Sequence, residues 1–261
     1  MGLIRYEPRK DVPSNYKSER AWREEIVQVC HLMHQKGFVA ATDGNVSVRL
    51  GEDRFLVTPS GFSKGLLRPE HLLVIDERGE IVGWPRYGPA RDLRPSSEIL
   101  LHLEVYRRRP DVRAVVHAHP PIAIALSIAG ISLARCLLPE VIMTLGLIPT
   151  TPYATPSSPE GAQVIAGYIE KYDALILKRH GSVTVGHDAI DAYLKLEKLE
   201  HTALITKTLL ELGREEPFPK EEIAKLVAWR AEKGLMRPGQ AEDLCAACGV
   251  CDLAGIPRFI E

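Results

Sequence analysis

The stretch "VRAVVHAHPPIAIAL", residues 112 to 126, ends a mostly apolar run with two histidines one residue apart and then two prolines. Strand side chains alternate faces, so His117 and His119 point the same way, about 6 to 7 Å apart along the strand. That suits two ligands of one ion. A catalytic zinc typically takes three protein ligands and keeps one position for water or substrate. A histidine pair tied to backbone carbonyls would have the same spacing, so the pair alone does not define a site. A third imidazole is at hand: "DALILKRHG" is another apolar run, and it ends in His180 and a glycine. Strand ends of a buried sheet open onto clefts where ligands bind. His31, His34, His71, His102, His187 and His201 fall on expected helices or turns and read as structural or solvent-facing. Glu98 is placed in the first turn of a helix beginning "PSSE", where a carboxylate meets the helix dipole favourably.

Three short motifs could hold an anion. "DGNVS" puts Gly44 and Asn45 at a turn before a strand, "TPSG" puts Ser60 and Gly61 in a second turn, and "PSSE" puts Ser96 and Ser97 at a helix start. Backbone N–H groups at turns and helix starts, with hydroxyl and amide side chains, form a phosphate cradle without lysine. Each motif alone is also an ordinary turn.

The elements that must position these groups follow from capping and periodicity. Ser18 caps a first helix with Ile26, Val27, Cys30, Leu32 and Met33 on its apolar side, stopped by Gly37. Closely spaced strands are expected at 45–50, 54–61, 72–76 and 80–84, which favours antiparallel pairing. A helix capped near Ser96 or Ser97 carries Ile99, Leu100, Leu103 and Tyr106 as its stripe and ends at Pro110. After the histidine strand come a small-residue helix to about Ile128, a helix over "EGAQVIAGYIEKY", the strand leading to His180, and a long helix from about Ala189 to Leu212. These pieces define an α/β class fold: a single layered domain with a mainly antiparallel central sheet flanked by helices, over residues 1–215. A helical, cysteine-containing tail covers 216–261.

The 261 residues suffice for one large domain, and 33 basic against 34 acidic side chains give no bias toward nucleic acid or an anionic membrane. No apolar run spans a bilayer and the N-terminus lacks a signal-type core, so a cytoplasmic protein acting on small molecules is expected. Five cysteines, three of them crowded at 245, 248 and 251, do not suggest a secreted disulfide framework.

Taken together and in order, "GNVSVR", "LVTPSGFSK", "RPSSE", "AVVHAHPP" and "HG" before a long helix resemble the class II aldolase/adducin family, and within it the L-fuculose-1-phosphate aldolase branch. The resemblance runs from about residue 19 to about 212. It implies a zinc ion on Glu98, His117, His119 and His180, and a substrate phosphate on Asn45, Ser60, Gly61, Ser96 and Ser97. It further implies a homotetramer with active sites between subunits and a phosphorylated sugar as substrate. In such chemistry dihydroxyacetone phosphate meets the zinc through its carbonyl and hydroxyl oxygens, and Glu98 doubles as the proton-abstracting base.

The chain departs from that pattern where the branch carries a tyrosine: "CLLPEVIMTLGLIP" has none, and Glu140 falls at or near the place. Glu140 is either a second acid or base or an ordinary surface glutamate. Cys245, Cys248 and Cys251 form C-x2-C-x2-C outside the family pattern, a spacing that suits zinc or part of an iron–sulfur cluster, with no fourth ligand evident nearby. The expected activity is cleavage of a ketose 1-phosphate to dihydroxyacetone phosphate and an aldehyde. A decarboxylase or epimerase with the same metal site is the rival, and an adducin-like scaffold the non-enzymatic alternative, disfavoured because all four ligands are present.

Overall fold

In the computed structural model, which describes residues 17–82 and 92–248, helix α1 (Glu19–Gln35) begins where the Ser18 hydroxyl accepts a hydrogen bond from the Ala21 amide. Its inner face buries Trp22, Ile26, Val29, Cys30 and Met33. Seven strands follow through the chain: β1 (Asn45–Gly51), β2 (Arg54–Val57), β3 (Leu73–Ile75), β4 (Ala114–Ala118), β5 (Thr150–Thr151), β6 (Ala174–Leu177) and β7 (Gly181–Gly186). They form one sheet in the order β3-β2-β1-β4-β7-β6-β5. Every neighbouring pair is antiparallel except β5 with β6.

Both faces of the sheet are buried, and the period-two alternation is visible along β4. Val115 joins Leu175, Val183 and Val185 in a core closed by α2 (Ile99–Arg108), α6 (Ala166–Ile169), α8 (Lys220–Glu232) and α9 (Gln240–Cys248). Ala114, Val116 and Ala118 face the other way, against α1 and α7 (Ala189–Leu212). Fully burying one such branched side chain is worth about 1.5–3 kcal/mol, so each face demands its own layer of helices. The remaining helices are α3 (Pro121–Ile128), α4 (Pro139–Thr144) and α5 (Pro159–Gln163). Among the described residues no helix is long and apolar enough to cross a membrane.

Several expected elements differ. β2 stops at Val57, before Pro59, which lacks an N–H for the ladder and instead bridges to Pro95. Over 80–84 there is only a bridge from Ile81 to Ile75 after the turn at Gly79, and residues 83–91 lie outside those described. The segment "EGAQVIAGYIEKY" is two short helices, α5 and α6, consistent with the helix cost of its glycines. Glu98 is the N-cap residue of α2 and lies before the first turn, and Leu100 of the expected stripe is 43% exposed, while Leu101 and Val105 point inward.

Candidate metal centre

The strand order sets β1, β4 and β7 side by side, with Asn45 paired to His117 and His117 to Val183. His117 shares a face with Val115, which is the face covered by α2, so the N-terminal end of α2 brings Glu98 over it. His119 follows the end of β4, and its amide donates to the Phe38 carbonyl oxygen. His180 sits in the tight turn between β6 and β7, where Arg179 takes a left-handed φ of 64°.

These four side chains converge. His117 Nε2 is 3.0 Å from Glu98 Oε2 and 3.1 Å from His119 Nε2, and His180 Nε2 is 3.1 Å from Glu98 Oε1. One ligand atom from each lies within 4.8 Å of all the others. The donor set fits an ion: the Nδ1 of His117 is 2.9 Å from the carbonyl oxygen of Ser182, which can only accept, so Nδ1 carries the proton of the neutral ring and Nε2 presents a lone pair. His119 Nδ1 lies 3.4 Å from Asp43 Oδ2, placing a carboxylate behind a second ligand.

Two glycines leave the room this needs. A Cβ on Gly181 would lie 2.4 Å from the Ala118 carbonyl oxygen and 2.9 Å from the His119 ring. Gly44, at φ 73°, would set a Cβ 2.9 Å from the His117 carbonyl oxygen. The glycine after His180 is therefore part of the packing of the histidine cluster.

Burial alone would raise the Glu98 carboxyl, but the bonded imidazoles of His117 and His180 outweigh it and hold the group far below the usual carboxylate range. Burial, reinforced by His117 and His180, lowers His119 to about 4, which keeps its ring neutral and able to ligate. Beneath the cluster, His102 is buried and lowered by that burial to about 3; its Nδ1 meets Ser47 Oγ at 2.6 Å, and Ser47 Oγ also meets the Tyr106 hydroxyl at 2.7 Å.

Two of the three anion motifs reach Glu98, and the third is tied to the loop before it. Asn45 Nδ2 donates to Glu98 Oε2 at 3.3 Å. The Ser60 amide donates to the Arg94 carbonyl oxygen, tying the Ser60–Gly61 turn to the loop that carries Ser96 and Ser97. Ser96 is buried and accepts from the Glu98 amide, whereas Ser97 is exposed and accepts from the Ser157 hydroxyl at 3.1 Å. Lys64 is buried with its ammonium on the Thr42 and Phe62 carbonyl oxygens, so it braces the two turns. A narrow cleft opens beside Glu98 and His180, lined also by Ser97, Ser157 and Lys178. Asp43, Ser157 and Lys178 were not singled out from sequence. Lys178 stands two residues before His180, the one signal that could have found it.

Glu140 is not part of this cluster. It is exposed in the first turn of α4 and lines a separate hollow with Leu194, Lys198 and His201.

The fold and the His–Glu cluster define a class: the chain belongs to the class II aldolase and adducin family, whose N-terminal domain profile matches residues 24–206. Two curated relatives cover most of it. The 3-oxo-tetronate 4-phosphate decarboxylase of Haemophilus influenzae is 33% identical over 74% of this chain and 90% of its own. The L-fuculose phosphate aldolase of Methanococcus vannielii is 32% identical over 73% of this chain and 98% of its own. Among solved structures, YgbL of Klebsiella pneumoniae, described as an aldolase/epimerase/decarboxylase, aligns with a TM-score of 0.71 at 32% identity, covering 81% of this chain and all of that one.

Proposed function

We propose that this protein is a metal-dependent lyase that cleaves a carbon–carbon bond in a phosphorylated keto sugar, acting as a class II aldolase on a ketose 1-phosphate. The observation that carries the reading is the convergence of Glu98, His117, His119 and His180 beside a cleft edged by hydroxyl groups and Lys178. These four residues would hold the ion, and three imidazoles with one carboxylate suit zinc. When bound, the ion supplies Lewis-acid stabilisation of negative charge on the substrate's carbonyl and hydroxyl oxygens. Glu98, which faces both the imidazoles and the cleft, moves the proton at C3 of dihydroxyacetone phosphate. Asn45, Ser60, Gly61, Ser96 and Ser97, with Lys178, bind the phosphate. Glu140 acts on the C4 hydroxyl proton in a neighbouring subunit's site within a homotetramer.

A second reading is favoured by one observation, that the decarboxylase relative is as similar to the chain as the aldolase relative. Loss of carbon dioxide from a 3-oxo-tetronate 4-phosphate and retro-aldol cleavage of a ketose 1-phosphate leave the same enediolate, that of dihydroxyacetone phosphate. The departing fragments differ. An aldehyde leaves only as the C4 hydroxyl gives up its proton to a base, whereas carbon dioxide needs no such base. Glu140 is thus required by the first reading and idle in the second.

The test is a panel of ketose 1-phosphates and a 3-oxo-tetronate 4-phosphate, assayed for dihydroxyacetone phosphate with and without chelator. Chelator-sensitive release from a ketose 1-phosphate supports the aldolase, and release only from the oxo acid, with carbon dioxide, supports the second reading. No release from any member, or release that survives removal of the metal, overturns the lyase assignment.

A further inference from the structure

Lys64 braces two turns, yet a brace needs no charge. The residue is 1% exposed, and its Nζ donates to the Thr42 and Phe62 carbonyl oxygens, each at 2.7 Å. An ammonium carries three protons, so two neutral acceptors leave it short. Among the described residues no carboxylate stands within ion-pair distance of it; Asp43 acts from farther off, and its carboxylate lies against His119. The Cys30 thiol of α1 is also near, but burial pushes it up to about 12, so it stays neutral. The His34 ring packs against Gly65 and brings no negative charge. Burial holds Lys64 below its ordinary pKa, and isolated buried charges are costly enough that they are ordinarily paired.

The two carbonyl groups belong to the segments that carry the anion motifs: Thr42 leads into Gly44 and Asn45, and Phe62 follows Ser60 and Gly61. In a trans peptide the N–H points opposite to the C=O, so the ammonium that draws the Phe62 carbonyl inward turns the Ser63 amide away from itself. Gly61, at a left-handed φ of 66°, Phe62 and Ser63 thus offer three successive amides, none of which finds an acceptor among the described residues. Such runs of amides make anion-binding concavities. We propose that Lys64 is the electrostatic half of the phosphate site, a positioning residue that holds the 60–63 turn with its amides free and supplies, without touching the ligand, the positive charge a phosphate dianion needs. The proposal rests on the reading of these turns as the phosphate site. Lys178 is exposed, so water and salt screen its charge, whereas a buried charge acts through a lower effective dielectric. The dianion in turn compensates a cation that has no counter-ion of its own, so ligand and protonated Lys64 favour each other by one and the same coupling free energy.

The full chain, loaded with metal, is to be titrated with inorganic phosphate by calorimetry, and its lysines, labelled with carbon-13 at Cε, followed by NMR against pH with and without saturating phosphate. The resonance missing from Lys64→Met identifies Lys64. Its titration midpoint should move up in phosphate, and Lys64→Met should bind phosphate about 5- to 150-fold more weakly while keeping its metal. Lys64→Gln, which still donates to a carbonyl oxygen but carries no charge, should bind phosphate as weakly as Lys64→Met. Phosphate that binds the parent without moving the Lys64 midpoint overturns the proposal and leaves the phosphate site standing, and this measurement decides even if a variant fails to fold. Parent-like affinity in Lys64→Gln also overturns it, because the bracing bond and not the charge would then be what matters. A parent chain that takes up no phosphate overturns both this proposal and the phosphate reading beneath it.

Discussion

His117 donates from Nδ1 to the Ser182 carbonyl oxygen, and its other nitrogen therefore turns a lone pair toward Glu98 Oε2, 3.0 Å away. Two acceptors do not face each other at that distance without a proton or a cation between them. The side-chain bond from β4 to the backbone of β7 thus fixes the tautomer of His117, and metal uptake must displace whatever proton the pair shares.

Asp43 stands behind His119 as Ser182 stands behind His117. Asp43→Asn should weaken metal affinity by about 10- to 100-fold, as loss of an outer-shell carboxylate typically does. Competition with a chromophoric chelator measures it, and an unchanged affinity would show that the 3.4 Å contact orients nothing.

Gly181→Ala drives a Cβ toward a backbone oxygen 2.4 Å away, which cannot yield without opening the β4–β7 pairing. We expect about 1–3 kcal/mol of lost stability, together with loss of bound metal. A variant that keeps both its melting temperature and its metal would refute the packing argument.

His102 makes stability depend on pH. Its folded pKa, about 3, lies below the ordinary 6.5, so between those values the unfolded chain binds a proton that the folded chain does not. Stability is then fully present above 6.5 and falls as pH drops toward 3, by up to about 1.4 kcal/mol per unit for a fully buried ring. Denaturant titrations of His102→Gln and the parent across pH 4 to 7 should show a shallower slope for the variant, and parallel slopes would assign the acid sensitivity elsewhere.

Ser97 and Ser157 are exposed hydroxyls of the cleft. Ser97→Ala should weaken binding of phosphorylated substrate by about 1–3 kcal/mol without changing metal content. Equal turnover of phosphorylated and unphosphorylated substrate by the parent protein would remove the phosphate role of this cleft.

Glu140 lies apart from the His–Glu cluster of its own chain, so any action on the C4 proton must be exerted in a partner's site. Glu140→Gln should slow aldol cleavage by about 10² to 10⁴ yet leave exchange of the C3 proton of dihydroxyacetone phosphate intact. Mixed oligomers of Glu140→Gln and His119→Ala chains should recover part of the activity that each lacks alone. Failure to complement, with both oligomers well formed, would return Glu140 to the surface.

The histidines of the His–Glu cluster were legible because each stands at the end of an apolar run, where strand periodicity and a following proline or glycine announce an edge. What lay hidden depended on contacts between distant segments. β7 was overlooked because Ser182 and Thr184 read as polar, yet Ser182 donates to the Ala118 carbonyl oxygen and Thr184 to that of Ala192, so both are buried without loss. Asp43 lacks any pattern of its own and gains meaning only from His119. Cys136 is likewise an isolated cysteine until α9 packs beside it. Glu98 was found, but as a first-turn acid; its cap position frees the carboxylate to point away from the helix and into the cluster.

The order of strands has a consequence for the life of the protein in a cell. His117 and the carbonyl of Ser182 are 65 residues apart in sequence, and both meet only when β4 and β7 close. Early in synthesis the ligands are scattered, and the unfolded chain offers the ion no comparable grip. An ion that binds the native form alone adds about 2.7 kcal/mol at a hundredfold excess over its dissociation constant. That margin is comparable to the change that alters protein abundance several-fold through degradation of the unfolded fraction. Starvation for the metal would therefore thin the population of molecules through turnover as well as silence the survivors.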